Sequence, residues 1–166
     1  MSAIIDGLQN CWAKNLEYGQ RLVADLSDEQ MVLQPAPEGK APSNHPAWVF
    51  SHLNAYLPVI DGLLNGREFD DPKNHPFGML SKPESDSSIY ASRDDLLTEF
   101  SNGHETVAAS LAKCDDSIFE TPMSLERWQG PLPNLGMALP YLMVFHENLH
   151  LGQVSAWRRI QGMPSV

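Results

Sequence analysis

Two histidines, His146 and His150, stand four residues apart in an apolar stretch of the sequence and are followed by Gly152 and Gln153. On an α-helix this spacing puts both imidazoles on one face, close enough together to bind a single metal ion. A buried polar group without a partner costs about 1–3 kcal/mol, so two histidines in a core stripe need partners. The pair indicates either a divalent-metal site or core histidines bonded to a neighbouring carbonyl or carboxylate.

A third histidine shifts the balance between these two interpretations. His52 lies in a second apolar segment, with Trp48 one turn before it and Tyr56 one turn after it. These neighbours predict that the His52 side chain faces inward. Three inward histidines on two helices are difficult to satisfy with ordinary core hydrogen bonds. The sequence therefore predicts a metal site formed by His52, His146 and His150.

The chemistry of such a site follows from its ligands. Three neutral imidazoles leave a divalent ion its full charge and at least one open coordination position, which is typical of catalytic zinc sites and not of structural ones. A thiol or water in that position loses its proton near neutral pH and becomes a nucleophile. Zinc is the first expectation, and nickel or iron are alternatives because nitrogen ligands also suit them.

Apolar periodicity predicts the helices that would hold these residues. Ser27 and Gln30 form a capping-box pattern for a short helical turn, which Pro35 and Pro37 are expected to end. The segments 66–91 and 115–135 are predicted to be long loops, called here the first and the second loop. Four long amphipathic helices are expected, at about Ser2–Leu26, Pro46–Gly66, Arg93–Lys113 and Met137–Met163.

The last helix carries the histidine pair within its predicted core stripe. As a regular α-helix, it would direct three columns of side chains towards the core. On this prediction Glu147, about 100° around the helix from His146, faces the surface. The columns are Leu139, His146, Gln153 and Ile160; Met143, His150 and Trp157; and Leu142 and Leu149.

These elements predict an all-α fold, a four-helix bundle with long crossover loops, in which residues 1–166 form a single domain. No segment is predicted to be a strand. Long loops in a compact domain are usually functional. We therefore expect the first and second loops to cover the end of the bundle where a ligand enters.

Composition limits the partners. The net charge of −10 argues against nucleic acid and anionic membranes, since either requires a basic surface. The two cysteines, Cys11 and Cys114, lack Cys-x-x-Cys spacing and are expected to be reduced. The sequence begins without a basic region and contains no run of about 20 apolar residues. A cytoplasmic protein with a small-molecule substrate is expected.

Two further side chains are candidates for the surroundings of the metal. His104 falls on the inward face of the third helix, as a core histidine with one hydrogen bond or as a residue that approaches the site. Gln153, one turn after His150, is expected either to orient that histidine or to pack against the first helix. His45 and His75 each precede a proline in loop contexts and are expected to be solvated.

The same segments resemble a known family. The DinB/YfiT-like superfamily has a last helix similar to HENLHLGQ at 146–153 followed by RRIQGMP at 158–164. Its second helix, which carries its first metal ligand, is similar to PAWVFSHL at 46–53. Helix order and overall length also agree, so the resemblance covers nearly the whole chain.

This resemblance implies a four-helix bundle with a three-histidine site for a divalent metal, here His52, His146 and His150. Relatives of known activity include thiol-dependent transferases and isomerases that use bacterial low-molecular-weight thiols. The family often has Arg or another polar residue before Gly-Gln, where this sequence has Leu151. The departure leaves the three ligands intact and leaves the substrate open.

Three functions fit these observations. The first is a metal-dependent transferase, or a hydrolase, that activates a small thiol or water on the three-histidine site. The second is a non-catalytic metal-binding bundle in which the ion is structural. The third is a polar core network that links the three histidines and Gln153 without a metal.

Apolar side chains outside the core stripe predict either a homodimer with a two-fold interface or cover by a loop. Phe145 and Leu151 lie off the histidine face of the last helix and would be exposed in a monomer. The first helix also has more apolar residues than one stripe requires: Ile4, Ile5, Leu8 and Trp12.

Overall fold

The structure is a computed structural model that describes residues 2–34 and 43–166. A π-helical segment, Tyr141–His146, joins α5 to α6, so the three form one continuous C-terminal helix. Within the described residues no β-strand occurs, and no helix is long and apolar enough to cross a membrane. The helices are α1 (Ala3–Val23), α2 (Asp28–Met31), α3 (Pro46–Asn65), α4 (Arg93–Leu111), α5 (Leu135–Pro140) and α6 (Glu147–Ile160).

The helix ends follow the side chains beside them. Ser2 and Ser92 each accept a backbone hydrogen bond from the first turn of α1 and α4, as serine caps do. Pro46 occupies the first turn of α3, where its missing N–H has no cost. Gly66 ends α3 in the left-handed conformation, with a φ of 60°.

The short helix α2 begins as the sequence predicts. Ser27 and Gln30 form the expected capping box. Met31, its last residue, is 2% exposed and joins the core. The two prolines expected to end this turn, Pro35 and Pro37, lie outside the described residues.

The long helices pack as a bundle in which α1 and α3 each contact both α4 and α6. Their apolar faces form one continuous core. The contact between α3 and α4 is the most extensive, and Gly103 permits it because a Cβ there would collide with Leu57. The predicted all-α bundle is confirmed.

The C-terminal helix differs from the regular α-helix that the sequence predicts. Its backbone hydrogen bonds between Tyr141 and His146 span one residue more than those of an α-helix. One extra residue rotates everything after it by about 100° relative to everything before it. The buried face therefore moves by one residue along the sequence from His146 onwards.

Four single-residue predictions are wrong for this reason. Leu149 and Ile160, predicted to face the core, are 50% and 61% exposed. Glu147 and Leu151, predicted to be exposed, are 3% and 0% exposed. After the π segment the buried positions include Glu147, Leu151, Val154 and Arg158, each one residue beyond a predicted core position.

The first loop is fastened to the N-terminal half of α3. Trp48 donates its indole N–H to the Ser81 hydroxyl at 3.0 Å. His52 Nδ1 lies 2.7 Å from the carbonyl oxygen of Phe77. The helix that carries a predicted metal ligand therefore also holds the loop that covers it.

The two loops are tied to each other by an ion pair. Arg127 of the second loop binds the carboxylate of Asp71 of the first loop through Nε and Nη2, with an Nη2–Oδ1 distance of 2.6 Å. Such two-point guanidinium–carboxylate contacts fix orientation as well as distance. The loops therefore meet at one place on the bundle, next to the histidines.

The exposed face of the C-terminal helix carries an apolar stripe, called here the outer stripe. Phe145 is 57% exposed, as predicted, whereas Leu151 belongs to the core. The rings of Tyr141 and Phe145 stack with centroids 5.4 Å apart. The outer stripe consists of Met137, Tyr141, Phe145 and Leu149.

Candidate metal site

Helix α3 and the C-terminal helix bring the three predicted histidines together. One ring nitrogen each from His52, His146 and His150 lies within 4.8 Å of the others. The Nε2 atoms of His52 and His146 are 3.1 Å apart. The ring centroids of His52 and His150 are 4.5 Å apart, and those of His146 and His150 are 4.7 Å apart. Three potential ligands therefore converge on one point.

Hydrogen bonding determines which nitrogen of His52 is free. Nδ1 lies 2.7 Å from the carbonyl oxygen of Phe77. Because a carbonyl only accepts hydrogen bonds, Nδ1 must carry the proton. Nε2 then presents its lone pair to the other two histidines. Trp48 stacks on the His52 ring with centroids 4.9 Å apart and restricts its rotation.

His150 is oriented in the same way by a side chain. Its Nδ1 lies 3.0 Å from Oε1 of Gln153. The Asn44 amide donates to the same oxygen at 2.9 Å, which holds that oxygen as an acceptor. Nδ1 of His150 is therefore the donor, and Nε2 is free. Contact with this histidine is one of the two roles predicted for Gln153.

His146 completes the group at the end of the π segment. It is half-buried, whereas His52 and His150 are buried. The Tyr56 ring packs against it with centroids 4.6 Å apart. Its Nε2 faces that of His52 across 3.1 Å, so two lone pairs oppose each other unless a proton or a cation lies between them.

Burial favours the neutral form of these imidazoles. Burial, with smaller contributions from neighbouring histidines, lowers the pKa of His52 to about 4 and that of His146 to about 3. Burial also lowers the pKa of His150. Because a metal binds the neutral imidazole, these groups are ready for coordination at neutral pH without losing a proton.

A cavity of about 260 Å³ opens beside the three histidines. Both loops contribute to its wall, so they border the site as the sequence predicts for a ligand entrance. Its other walls are mainly aromatic, with one guanidinium and one thioether. The side chains that line it, apart from the histidines, include Trp48, Tyr56, Met79, Arg127, Trp128 and Tyr141.

Arg127 was missed in the sequence because its role depends on a partner far along the chain. Its guanidinium lies 4.8 Å from the Trp128 ring centroid, and Nη1 is 3.5 Å from Met79 Sδ. The hydrogen-bonded pair lowers the pKa of Asp71 and raises that of Arg127. Arg127 therefore stays charged beside the cavity.

Tyr141 was missed for a different reason. In a regular α-helix, Leu142 and not Tyr141 would lie one turn before His146. The wider π turn lets Tyr141 line the cavity together with Leu142. No local pattern of residue types marks this turn, so periodicity alone does not reveal it.

His104 lies in a second buried polar cluster and does not line the metal cavity. It is 1% exposed and stacks on Trp12 with centroids 3.8 Å apart. Its backbone carbonyl accepts the Trp12 indole N–H at 3.0 Å, which fixes this part of α4 against α1. The structure therefore places His104 as the core histidine that the sequence allows.

Glu147 is the partner of His104 in this cluster. Its Oε2 lies 3.2 Å from His104 Nε2. Burial raises the pKa of Glu147 well above its usual value and lowers the pKa of His104 to about 3. The buried environment therefore favours the neutral forms of both groups over an ion pair.

The two histidines that precede prolines have different environments. His75 is exposed, as predicted. The prediction that His45 is solvated is wrong, because its side chain caps α3 beneath the first loop and is 0% exposed. Its Nδ1 accepts the Trp48 N–H at 3.2 Å, and Nε2 donates to the Glu84 carbonyl at 2.9 Å.

Comparison with known proteins supports this reading of the fold and the family. A conserved protein from Enterococcus faecalis has a similar solved structure, with a TM-score of 0.75 and 13% sequence identity. The match covers 96% of this chain and 98% of that one, so it shows a common fold. Among curated proteins, none matches the sequence. The sequence model of the DinB superfamily matches residues 12–154, which include all three histidines. This chain belongs to the DinB superfamily.

Proposed function

We propose that this protein binds one divalent metal ion through His52, His146 and His150 and is a metal-dependent transferase that activates a small thiol or water. One observation carries the proposal. The Nε2 atoms of His52 and His146 face each other at 3.1 Å, while the Nδ1 proton of His52 is held by a carbonyl. One ring nitrogen of His150 lies within 4.8 Å of both, so three ring nitrogens converge on a point that a single cation can occupy.

The donor set fits a catalytic metal better than a structural one. The group contains three histidines and, among the described residues, no fourth protein ligand. Structural zinc sites are closed by four protein ligands, whereas catalytic sites keep one position open. A divalent ion held by neutral imidazoles supplies a Lewis acid that lowers the pKa of a thiol or water placed beside it.

The residues around the histidines have separate roles in this proposal. The Phe77 carbonyl and Gln153 hold the protonated Nδ1 atoms of His52 and His150, which aims both Nε2 lone pairs at one point. The aromatic walls from Trp48 and Tyr56 exclude water from one side of the site. They also offer flat apolar surfaces to the carbon framework of a substrate.

The substrate is proposed to be small. A cavity of about 260 Å³ is at the lower end for small-molecule sites, which span about 300–1,000 Å³. A low-molecular-weight thiol with a small electrophile suits this size. A cytoplasmic setting is part of the proposal, since small thiols are kept reduced there. Zinc is the proposed ion, with nickel or iron as alternatives.

The structural alternative is a metal that holds α3 and the C-terminal helix together without turnover. The two helices do share the proposed ligands. The cavity beside the histidines favours the catalytic role, because a purely structural ion does not need access from outside. A measurement of catalytic turnover by the metal-loaded protein distinguishes the catalytic role of the ion from the structural one.

The test begins with metal content. We expect about one divalent ion per chain by elemental analysis of the purified protein, and loss of most of it in His52→Ala and His150→Ala. His75→Ala, which changes an exposed histidine, is the control and should keep its metal. Full metal content in both site variants would overturn the proposed site.

Catalysis is tested next on the loaded protein. Several low-molecular-weight thiols are incubated with one model electrophile, and product is followed with the wild type and with His150→Ala. Thiol-dependent turnover that disappears in the variant supports the transferase. A loaded protein that shows no turnover and no thiol-dependent change in a cobalt spectrum supports the structural alternative.

We also propose that the outer stripe forms a two-fold interface between two chains. It is the exposed apolar surface of the helix that carries His146 and His150, and two-fold dimers are the commonest closed assemblies. Light scattering at micromolar concentration should give twice the 18.5 kDa mass of one chain. Phe145→Glu should give the single-chain mass, and a wild-type protein of 18.5 kDa rejects the dimer.

A further inference from the structure

The π segment decides which side chains of the C-terminal helix reach the metal cavity. In a regular α-helix His146 would share the column of Leu139, which is 0% exposed, and would point into the core. The extra residue moves this column onto Glu147 and Val154, which are buried. His146 is left half-buried at the cavity wall.

A π turn needs stabilisation that a regular α-helix does not. It is rare and occurs mostly as a single wide turn within an α-helix, because it changes which amide faces each carbonyl. A buried carbonyl that loses its amide partner needs another donor. Within the π segment, the Met143 carbonyl accepts a hydrogen bond from Nδ2 of Asn15 of α1 at 3.1 Å.

Asn15 also contacts the helix beyond the turn. Its Oδ1 accepts a hydrogen bond from Asn148 Nδ2 at 2.9 Å. The two contacts therefore lie three residues before His146 and two residues after it. Asn15 is 5% exposed and its bond to the Met143 carbonyl is buried, so water competes little for that bond.

We propose that Asn15 is a positioning residue for the metal site. By bonding both sides of the π turn, it holds the register that turns His146 out of the core and into the cavity. The inference rests on the proposed metal-binding function. Asn15 acts through the C-terminal helix, because its side-chain hydrogen bonds go to Met143 and Asn148 of that helix.

The competing explanation is that core packing alone sets the register. Leu151, Val154 and Trp157 are all buried after the turn and would resist a rotation of the helix. In that case Asn15 would stabilise the bundle like any buried amide and would have no special effect on His146. The two explanations predict different results when Asn15 and a second buried asparagine are each replaced by alanine. If core packing alone sets the register, both replacements should affect the metal site equally.

Asn54 is a matched control. It is 4% exposed and donates its amide to the Leu96 carbonyl at 3.1 Å, between α3 and α4. Asn15→Ala and Asn54→Ala each remove one buried amide-to-carbonyl bond of the same length. Both should destabilise the bundle, but only Asn15→Ala should weaken the site.

The first readout is the affinity for Zn²⁺, measured by competition with a chelator. Partners that orient ligands typically contribute about 10–100-fold, so we expect Asn15→Ala to lose about tenfold and Asn54→Ala less than twofold. With Co²⁺ in the site, the visible spectrum of Asn15→Ala should shift as its ligand geometry changes. Equal losses in both variants overturn the proposal.

The second readout needs no metal. In metal-free wild type, ring protons of His146 and Tyr56 should show a close contact by NMR, since their centroids are 4.6 Å apart. Asn15→Ala should weaken this contact, and Asn54→Ala should not. A preserved contact overturns the positioning role. Failure of the wild type to bind Zn²⁺ overturns only the proposed function, because the NMR result stands on its own.

A milder variant keeps the proposal testable if Asn15→Ala does not fold. Asn148 is exposed, and Asn148→Ala removes the bond that holds the Asn15 side chain in orientation. We expect a loss of Zn²⁺ affinity of about threefold, smaller than that of an orienting partner itself. Unchanged Zn²⁺ affinity together with an unchanged contact between His146 and Tyr56 in this variant contradicts the proposal.

Discussion

The bundle contains two largely buried polar clusters that differ in their surroundings, one with His52, His146 and His150 and the other with His104 and Glu147. Around His52, a carbonyl and an amide oxygen hold the Nδ1 protons of His52 and His150, and one ring nitrogen from each of three histidines converges on a point beside a cavity. Around His104, the ring stacks on Trp12, packs at a tilt against Phe100 and meets the Glu147 carboxyl group. The first arrangement suits an ion that is reached from outside, and the second suits packing.

Burial and a lowered histidine pKa do not by themselves distinguish the two clusters. His104 and His146 both have a pKa lowered to about 3 by burial. The two clusters differ in the number of histidine ring nitrogens that converge and in the presence of an adjoining cavity. Four experiments test this distinction, in order of decreasing expected effect.

The largest effect on stability is expected from His104→Ala. The change removes a fully packed ring and leaves the Glu147 carboxyl without its neighbour. Truncating a large buried ring costs about 3–5 kcal/mol. Chemical denaturation measures the loss. Metal content should stay at the wild-type value, and its disappearance from a folded variant would place His104 in the metal site.

Removal of the metal should have the next largest effect on stability. An ion that binds only the folded chain stabilises it by about 2.7 kcal/mol when its free concentration is about 100 times Kd. For a chain of this size the melting temperature should fall by roughly 5–10 °C after chelation. Calorimetry of loaded and stripped protein measures the shift. The stripped His52→Ala protein, treated with the same chelator, is the control and should not change.

Gln153→Ala should weaken metal binding without removing it. The variant loses the acceptor that fixes the Nδ1 proton of His150. Changes of this kind cost about 10–100-fold in metal affinity, and we expect about tenfold, which is roughly 1.4 kcal/mol. A chelator titration provides the measurement. An affinity equal to that of the wild type would show that the bond between Gln153 and His150 does not orient the ligand.

Acid should destabilise the metal-free protein, and His45 should account for a small part of this effect. Burial lowers the pKa of His45 below its usual 6.5, so the unfolded chain binds its proton more tightly than the folded chain does. The contribution of His45 to stability is therefore complete above about pH 6.5 and is lost as the pH falls through the folded-state pKa. His45→Asn keeps a side chain that can cap α3 and removes this titration.

Denaturation at several pH values between 7 and 5 measures the slope of stability against pH. We expect a shallower slope for His45→Asn than for the wild type. His75→Ala, which removes an exposed histidine, is the control and should keep the wild-type slope. An identical slope in His45→Asn and wild type would show that His45 does not contribute.

The sequence predicts α3 much better than the C-terminal helix. Pro46 and Gly66 mark the ends of α3, and its regular geometry puts His52 where periodicity predicts. The sequence predicts α3 well because its ends and its buried face depend on residues that are close together in the chain. It also predicts His146 and His150 as a pair, since α6 preserves their spacing of one turn.

The register of the C-terminal helix and the position of Arg127 depend on contacts between distant parts of the chain. The register of the C-terminal helix changes at a turn whose Met143 carbonyl is bonded by Asn15, a residue 128 positions earlier. Arg127 enters the cavity wall because Asp71, 56 positions earlier, holds it. Helix periodicity describes neighbours within a few residues, so neither contact leaves a signal in it.

The ion pair between the two loops also affects the rate at which small molecules enter and leave the cavity. The side chains of Arg127 and Asp71 are 25% and 24% exposed, so dissolved salt reaches them. Partly exposed pairs of this kind contribute about 0–1 kcal/mol in many proteins, and loop motions occur within nanoseconds to microseconds. A contact between loops that is held by so weak a bond opens and closes often. The two loops therefore leave the cavity open to exchange with the solvent.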